Sequence, residues 1–175
     1  MTPIRIPINR RIVLTGILGM CWIIATRISD SPSLLYTAQE PIPSIKLQSR
    51  DGSAVDARTL IGRPSIVTIW ASWCPTCSAA MLYWERNAAD FARRDVTFVA
   101  LNQREPLVTV QRASAAFSPA VTVWADTAGL FMTYLLSTDL PTTAFIDRHG
   151  RVVSVVRGPV SAEVVTTMLD LITAP

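Results

Sequence analysis

Two of the three cysteines, Cys74 and Cys77, lie three residues apart in the segment Trp73-Cys74-Pro75-Thr76-Cys77. A β-branched and aromatic run over 65–71 precedes them, and apolar residues at helical spacing follow over 78–93, so the pair is predicted at the start of a helix behind a buried strand. The free N–H groups and positive dipole end of that helix favour a thiolate, the nucleophile of disulfide exchange. The pattern predicts a redox-active dithiol, in which Cys74, at the exposed end, attacks a disulfide and Cys77 resolves the mixed intermediate.

Other chemistries of a close cysteine pair are weaker fits. Zinc needs about four ligands, and the remaining candidates are Cys21, inside an apolar run, and the sole histidine, His149, in a predicted turn. Haem c attachment needs a histidine after the second cysteine, where Ser78 stands. A purely structural disulfide would close a very short loop and remove little unfolded-state entropy. A non-catalytic copper(I)-binding or assembly factor remains an alternative, because soft thiolates suit that ion.

The formal charge of +3 comes from the first 30 residues. Its carriers are Arg5, Arg10, Arg11 and Arg27, against Asp30. The other 145 residues hold twelve basic and twelve acidic side chains, so the folded part has no net basic charge to attract phosphates, and no nucleic-acid partner is expected. With 50% apolar and 17% charged residues, a disordered chain is excluded.

An uncharged apolar run of fifteen residues, 12–26, follows the first three arginines. At ~1.5 Å per residue a helix of this length covers roughly 22 Å, short of the ~30 Å hydrocarbon core, which indicates a signal segment or a short anchor. We expect a single N-terminal membrane-anchor or signal helix in residues 1–29 and a proline-containing linker over 30–43. The basic flank stays in the cytoplasm, so the segment is expected in a bacterial inner membrane with the domain 44–175 in the periplasm. No A-x-A pattern follows the run, which favours a retained anchor; cleavage would release the domain into the periplasm.

Strands alternate with helices along 44–175. An Asp-Gly pair at 51–52 predicts the turn of an N-terminal β-hairpin. Further strands are predicted at 65–71, 96–101, 121–124, 142–147 and 152–156, and helices at 78–93, 106–117, 128–136 and 161–172. This order predicts an α/β fold with a central mixed β-sheet flanked by helices.

Two segments carry a family resemblance. Residues 69–77, Ile-Trp-Ala-Ser-Trp-Cys-Pro-Thr-Cys, resemble the active-site segment of the thioredoxin superfamily, specifically its membrane-anchored TlpA, ResA and CcmG branch. Residues 140–150, Leu-Pro-Thr-Thr-Ala-Phe-Ile-Asp-Arg-His-Gly, are similar to that branch's PTTFLID-G stretch. The resemblance implies a thioredoxin-like fold with an N-terminal hairpin extension and an insertion at about 106–136. No helix-kinking proline follows the second cysteine at 78–82, so we expect an uninterrupted helix there.

The resemblance also implies an activity and partners. It predicts a thiol:disulfide oxidoreductase, acting as a reductase, with the Cys74–Cys77 disulfide as its redox centre and with neither a cofactor nor a metal. The client would be a protein disulfide, in apocytochrome c or in a copper-assembly protein. A membrane thiol-transfer protein would supply the electrons.

Roles follow at matching positions. Pro141 matches the proline whose preceding peptide bond is cis and which faces the cysteine pair. Glu105 matches an acidic residue near the active site of the ResA type, and Thr68 occupies the position of thioredoxin's own aspartate. A partly buried carboxylate at Glu105 would have a raised pKa and could take or return the Cys77 proton. The expected substrate-binding residues are Trp73, Pro75, Thr76 and Leu140.

Overall fold

The structure is a computed structural model that describes residues 40–174. The predicted anchor or signal helix, residues 1–29, and most of the linker lie outside the described residues. Within 40–174, none of the helices combines the length and the hydropathy that a membrane crossing requires.

Seven strands form one sheet in the order β2-β1-β5-β4-β3-β6-β7. Their bounds are β1 Lys46–Ser49, β2 Ala54–Asp56, β3 Ser65–Trp70, β4 Thr97–Gln103, β5 Thr122–Asp126, β6 Thr142–Ile146 and β7 Val152–Arg157. The pairs β3–β4 and β4–β5 are parallel, and the other four pairs are antiparallel. The predicted mixed sheet is confirmed.

Within the described part of the chain, four α-helices and one 3₁₀ helix pack on this sheet. They are α1 Pro75–Arg93, α2 Leu107–Ala113, α3 Leu130–Tyr134, α4 Ala162–Thr173 and the 3₁₀ helix Ala57–Leu60. Helix α1 runs without a break for 19 residues, as its lack of an internal proline predicts. Helix α4 begins as predicted, because the Ser161 hydroxyl accepts a hydrogen bond from the Val164 N–H at 3.3 Å.

The two faces of the sheet bury separate hydrophobic clusters. Side chains of a strand alternate between the faces, so Ile66 and Trp70 of β3 join the cluster under α1 and α4. Val67 and Ile69 point the other way, into the cluster with α3 and the 3₁₀ helix. All six residues of β3 are buried, and the strand is a fixed support for the loop that follows it.

The packed body starts before residue 44. Ile42, which the sequence places in the linker, is 2% exposed, and its N–H donates to the Gly150 carbonyl at 2.8 Å. Strands β1 and β2 pair antiparallel around a turn in which Gly52 has φ +93°. Strand β1 also pairs with β5, which joins this pair of strands to the main sheet.

Three segments meet at one edge of the sheet. In the register, Trp70 at the end of β3 lies opposite Asn102 near the end of β4. Ile69 lies opposite Thr142, the first residue of the antiparallel β6. The loop after β3, the loop after β4 and the segment before β6 are therefore neighbours.

Candidate active site

Cys74 and Cys77 form a disulfide at the start of α1, with Cα atoms 5.3 Å apart. Cys74 is the N-cap residue, and Pro75 occupies the first turn, where its missing N–H costs nothing. The Cys74 sulfur accepts a hydrogen bond from the Cys77 N–H at 3.1 Å and lies 3.4 Å from Thr76 Oγ1. In the reduced protein the same donors would stabilise a thiolate on Cys74 over the thiol.

Both sulfur-bearing residues are buried. Cys74 is 5% exposed and Cys77 1%, and both belong to the cluster that contains Trp70 and Ala71. The prediction that Cys74 is exposed is wrong, because the hydrophobic cluster covers the residue. Cys74 is still the more accessible of the two cysteines. A rim of exposed residues surrounds it, Trp73 at 67% together with Pro75 and Thr76.

Glu105 lies just beyond β4 and is 7% exposed. Its Oε2 accepts hydrogen bonds from the Ser72 N–H at 2.7 Å and from Asn102 Nδ2 at 2.6 Å. Its Oε1 accepts a third from the Ser72 hydroxyl at 2.5 Å. The carboxylate thus fastens the loop two residues before Cys74 to the end of β4.

The predicted direction of the Glu105 pKa is wrong. Burial is the largest single influence and raises the pKa, but the hydrogen bonds from the Asn102 side chain and from the Ser72 hydroxyl and N–H together outweigh it. The pKa of Glu105 is therefore lowered from its ordinary value of 4.5. At neutral pH this side chain is an ionised acceptor of hydrogen bonds.

Ser72 and Asn102 are site residues that the sequence analysis missed. Asn102 is fully buried, and its Oδ1 has no hydrogen-bond partner. The sequence offered one signal for Asn102, which is a polar residue directly after the apolar run 96–101. If the strand continues through this position, the buried side chain needs a hydrogen-bond partner. Ser72 gave no comparable signal beyond its place in the loop before Cys74.

Pro141 follows a cis peptide bond with Leu140, as the resemblance implies. Pro141 is buried, and its carbonyl accepts from the Gly158 N–H at 2.7 Å. Leu140 is half-buried and contacts both hydrophobic clusters. Because β6 starts at Thr142 opposite Ile69, both residues lie at the edge that carries the cysteine loop.

His149 lies elsewhere, in the exposed turn between β6 and β7. Within residues 40–174 the structure contains no group of three or more His, Cys, Asp or Glu side chains placed to hold a metal ion.

The disulfide lies at the N-terminus of a helix, directly after an interior strand of a mixed sheet, and a cis-proline segment borders it. These features together define a thioredoxin-like thiol-disulfide oxidoreductase. Residues 37–171 match the Redoxin family, and the chain belongs to that family.

Named relatives share this class. The chain is 27% identical to the thiol-disulfide oxidoreductase ResA of Halalkalibacterium halodurans, across 79% of this chain and 78% of the relative. It is 30% identical to the thiol:disulfide interchange protein DsbE of Tatumella citrea, across 77% and 74%. It resembles the structure of Mycobacterium tuberculosis DsbF with a TM-score of 0.66 and 29% identity, across 74% of this chain and 95% of that one. The protein is an oxidoreductase of the ResA and DsbE type.

Proposed function

We propose that this protein is a membrane-tethered thiol:disulfide reductase of the bacterial cell envelope. Its client would be the disulfide of a specific protein, such as apocytochrome c or a copper-site assembly protein. The observation that carries the proposal is the Cys74–Cys77 disulfide at the start of α1, with the Cys77 N–H donating to the Cys74 sulfur. The anchor in residues 1–29, the linker over 30–43 and the domain over 44–175 belong to the same proposal.

The reaction runs from the reduced pair. The Cys74 thiolate attacks one sulfur of the client disulfide, an S–S bond forms between protein and client, and the other client sulfur leaves as a thiolate. Cys77 loses its proton and attacks the Cys74 sulfur, which releases the second client thiolate and forms the Cys74–Cys77 disulfide. The client gains two electrons and two protons, and the protein loses them.

Glu105 enters this reaction as a positioning residue. A proton exchange with Cys77 would be favoured by a raised pKa, whereas the pKa of Glu105 is lowered by its bonds to Asn102 and Ser72. The ionised carboxylate holds the N–H and hydroxyl of Ser72, and with them the path of the chain into Cys74.

The client would lie across the exposed rim. Trp73, Pro75 and Thr76 border the buried sulfur of Cys74 on the side of α1. Leu140 and Pro141 border the same edge from the start of β6. These five residues are the proposed contacts for an extended client segment.

The electrons would come from a membrane thiol-transfer protein. A pair that reduces its client ends as a disulfide and must be reduced again before the next turnover. Support for an envelope location comes from the basic flank of the apolar run 12–26 and from a structural neighbour described as a secreted Mycobacterium tuberculosis disulfide oxidoreductase.

An insulin-reduction assay with the wild type, Cys74→Ser and Cys77→Ser tests the chemistry, with His149→Ala as a control in a distant exposed turn. We expect Cys74→Ser to abolish turnover and Cys77→Ser to accumulate a mixed disulfide. Unchanged activity in both cysteine variants contradicts the proposal. A reduction potential of the Cys74–Cys77 pair of about −270 mV supports a reductant, and one of about −120 mV supports an oxidant. If the purified protein instead holds one copper(I) ion per chain and has no Cys74–Cys77 disulfide, a non-catalytic copper(I)-binding or assembly factor is favoured.

A further inference from the structure

A groove of about 370 Å³ opens at the edge of the sheet that carries the disulfide loop. Gln103 and Arg104 line it from the end of β4. Met132 of α3 and the segment 136–138, which leads toward Pro141, line its other side.

Two lining residues have an unfavourable backbone conformation. Among residues 40–174, three non-glycine residues have φ in the left-handed region: Arg104 at +59°, Leu136 at +50° and Asp95 at +58°. Two of the three therefore border one groove. Backbone strain of this kind persists where the surrounding structure enforces it, and it concentrates at functional sites.

The Leu136 side chain gains little from the fold. It is 74% exposed, the highest value among the large apolar side chains of the described residues. A leucine that is strained in its backbone and exposed in its side chain contributes little to stability, since glycine would adopt the same φ without strain. This combination indicates that the side chain serves an intermolecular contact.

Among the described residues that line the groove, only Arg104 is charged. It is exposed, and no described carboxylate forms an ion pair with it. Its side chain packs against the Cα of Gly129, and a Cβ added to that glycine would lie 2.4 Å from Arg104 Nε. Gly129, with φ +72°, thus leaves the space in which the Arg104 side chain lies.

Hydrogen bonds between neighbouring segments connect the groove to the redox centre. Arg104 precedes Glu105, whose carboxylate binds Ser72, two residues before Cys74. On the other side, Ser137 Oγ lies 2.9 Å from Thr142 Oγ1, directly after Pro141. An extended client segment that presents its disulfide to Cys74 would reach the groove within a few residues.

We propose that this groove binds the client polypeptide beside its disulfide, with an acidic client side chain on Arg104 and an apolar one against Leu136 and Met132. The inference rests on the proposed function and names the chemistry of its client. An arginine without a carboxylate partner can hold a carboxylate through two parallel N–H···O bonds. The apolar wall beside it takes up the neighbouring client side chain.

Two synthetic peptides with one internal disulfide each test the charge. They are identical except for a glutamate or a glutamine a few residues from a cysteine, and the second-order rate constant of their reduction by the pre-reduced protein is measured. We expect the wild type to reduce the glutamate peptide about tenfold faster, as one additional charge-assisted contact predicts. In Arg104→Gln the two rates converge, and Arg104→Lys restores part of the preference. Equal rates for the two peptides with the wild type overturn the proposal.

Leu136→Gly tests the apolar wall, with Asp95→Gly as the matched control outside the groove. Both substitutions remove a side chain from a left-handed position, so we expect Leu136→Gly to raise the melting temperature by about 2–4 °C. Asp95→Gly raises it by less, because it also removes the exposed ion pair between Asp95 and Arg63. Only Leu136→Gly lowers the rate on the glutamate peptide, by about threefold to tenfold. An unchanged rate in Leu136→Gly overturns the proposal, because the side chain would then make no contact with the client. Self-association of the wild type that Leu136→Gly abolishes also overturns it, because the groove would then bind a second copy of this chain. A wild type that reduces neither peptide nor insulin would contradict the proposed function itself.

Discussion

Among residues 40–174, two buried carboxylates lie at the edge of the sheet that carries the redox loop, and each accepts at least one hydrogen bond from a backbone N–H. Asp126, at the end of β5, is 1% exposed and accepts from the N–H groups of Leu130 at 3.0 Å and Phe131 at 2.7 Å. Glu105, beyond β4, accepts from the Ser72 N–H at 2.7 Å and from two side chains. Both satisfy donors that would otherwise be unpaired.

The difference lies in the distance along the chain. Asp126 binds residues four and five positions ahead, in the first turn of α3, so it secures a helix that follows it directly. Glu105 binds a residue 33 positions behind it, in the loop that leads into Cys74. The same side-chain chemistry therefore stabilises a local element in one place and sets the geometry of the redox centre in the other.

Loss of the local carboxylate has the largest expected effect on stability. Asp126→Ala removes the acceptor of two hydrogen bonds, which leaves the buried Phe131 N–H and the partly buried Leu130 N–H without a partner. We expect the free energy of unfolding to fall by about 3 kcal/mol. Urea denaturation measures this change. Asp126→Asn, which keeps one acceptor oxygen, should lose about half as much. The rate of reduction of a small disulfide per folded molecule stays at the wild-type value, and a large fall in that rate would refute the separation of the two roles.

Loss of the Glu105 carboxylate is expected to change stability little and the rate of disulfide exchange strongly. Glu105→Gln keeps the size of the side chain and an acceptor for the Ser72 N–H, so the free energy of unfolding falls by only about 1 kcal/mol. The rate of disulfide exchange falls about tenfold, because the loop before Cys74 is held less firmly. Asp126→Asn is the matched control for this rate.

The pH profile of Cys74 alkylation separates a positioning role from a merely structural one. A change in the path of the chain at Ser72 alters the environment of the Cys74 sulfur and moves the profile in Glu105→Gln. A profile identical to that of the wild type, with an unchanged exchange rate, would leave Glu105 as another local support like Asp126.

The comparison also explains what the sequence could predict. Helix α1 and its cysteines follow from short-range signals: Pro75 in the first turn and apolar residues every three or four positions through Phe91. Asp126 and α3 are likewise neighbours in sequence. The bond between Glu105 and Ser72 depends on the parallel pairing of β3 with β4, which no local pattern specifies.

The predicted direction of the Glu105 pKa shift is wrong for the same reason, because it depends on contacts that the tertiary fold creates. Burial alone predicts a raised pKa, whereas the donors that lower it come from Asn102 and Ser72. Strand β4 continues past the apolar run to Gln103 because β3 and β5 flank it, and this extension buries Asn102. The burial of Cys74 also depends on tertiary packing, since Trp70 and Ala71 join its cluster only once α1 lies on the sheet.

The smallest expected effect is the pH dependence that Glu105 gives to stability. Its pKa in the folded protein lies below the ordinary value of 4.5, so its contribution is fully present above about pH 5 and is lost as the pH falls through the folded pKa. The difference in unfolding free energy between wild type and Glu105→Gln is therefore largest at neutral pH and narrows at pH 3. Asp51, whose pKa is lowered to about 2 by bonds to Ser49 and Ser53, is present in both proteins and cancels in this difference. Urea midpoints of the two proteins at pH 7 and pH 3 measure it, and a difference that widens toward acid would mean that the folded state favours the protonated carboxyl.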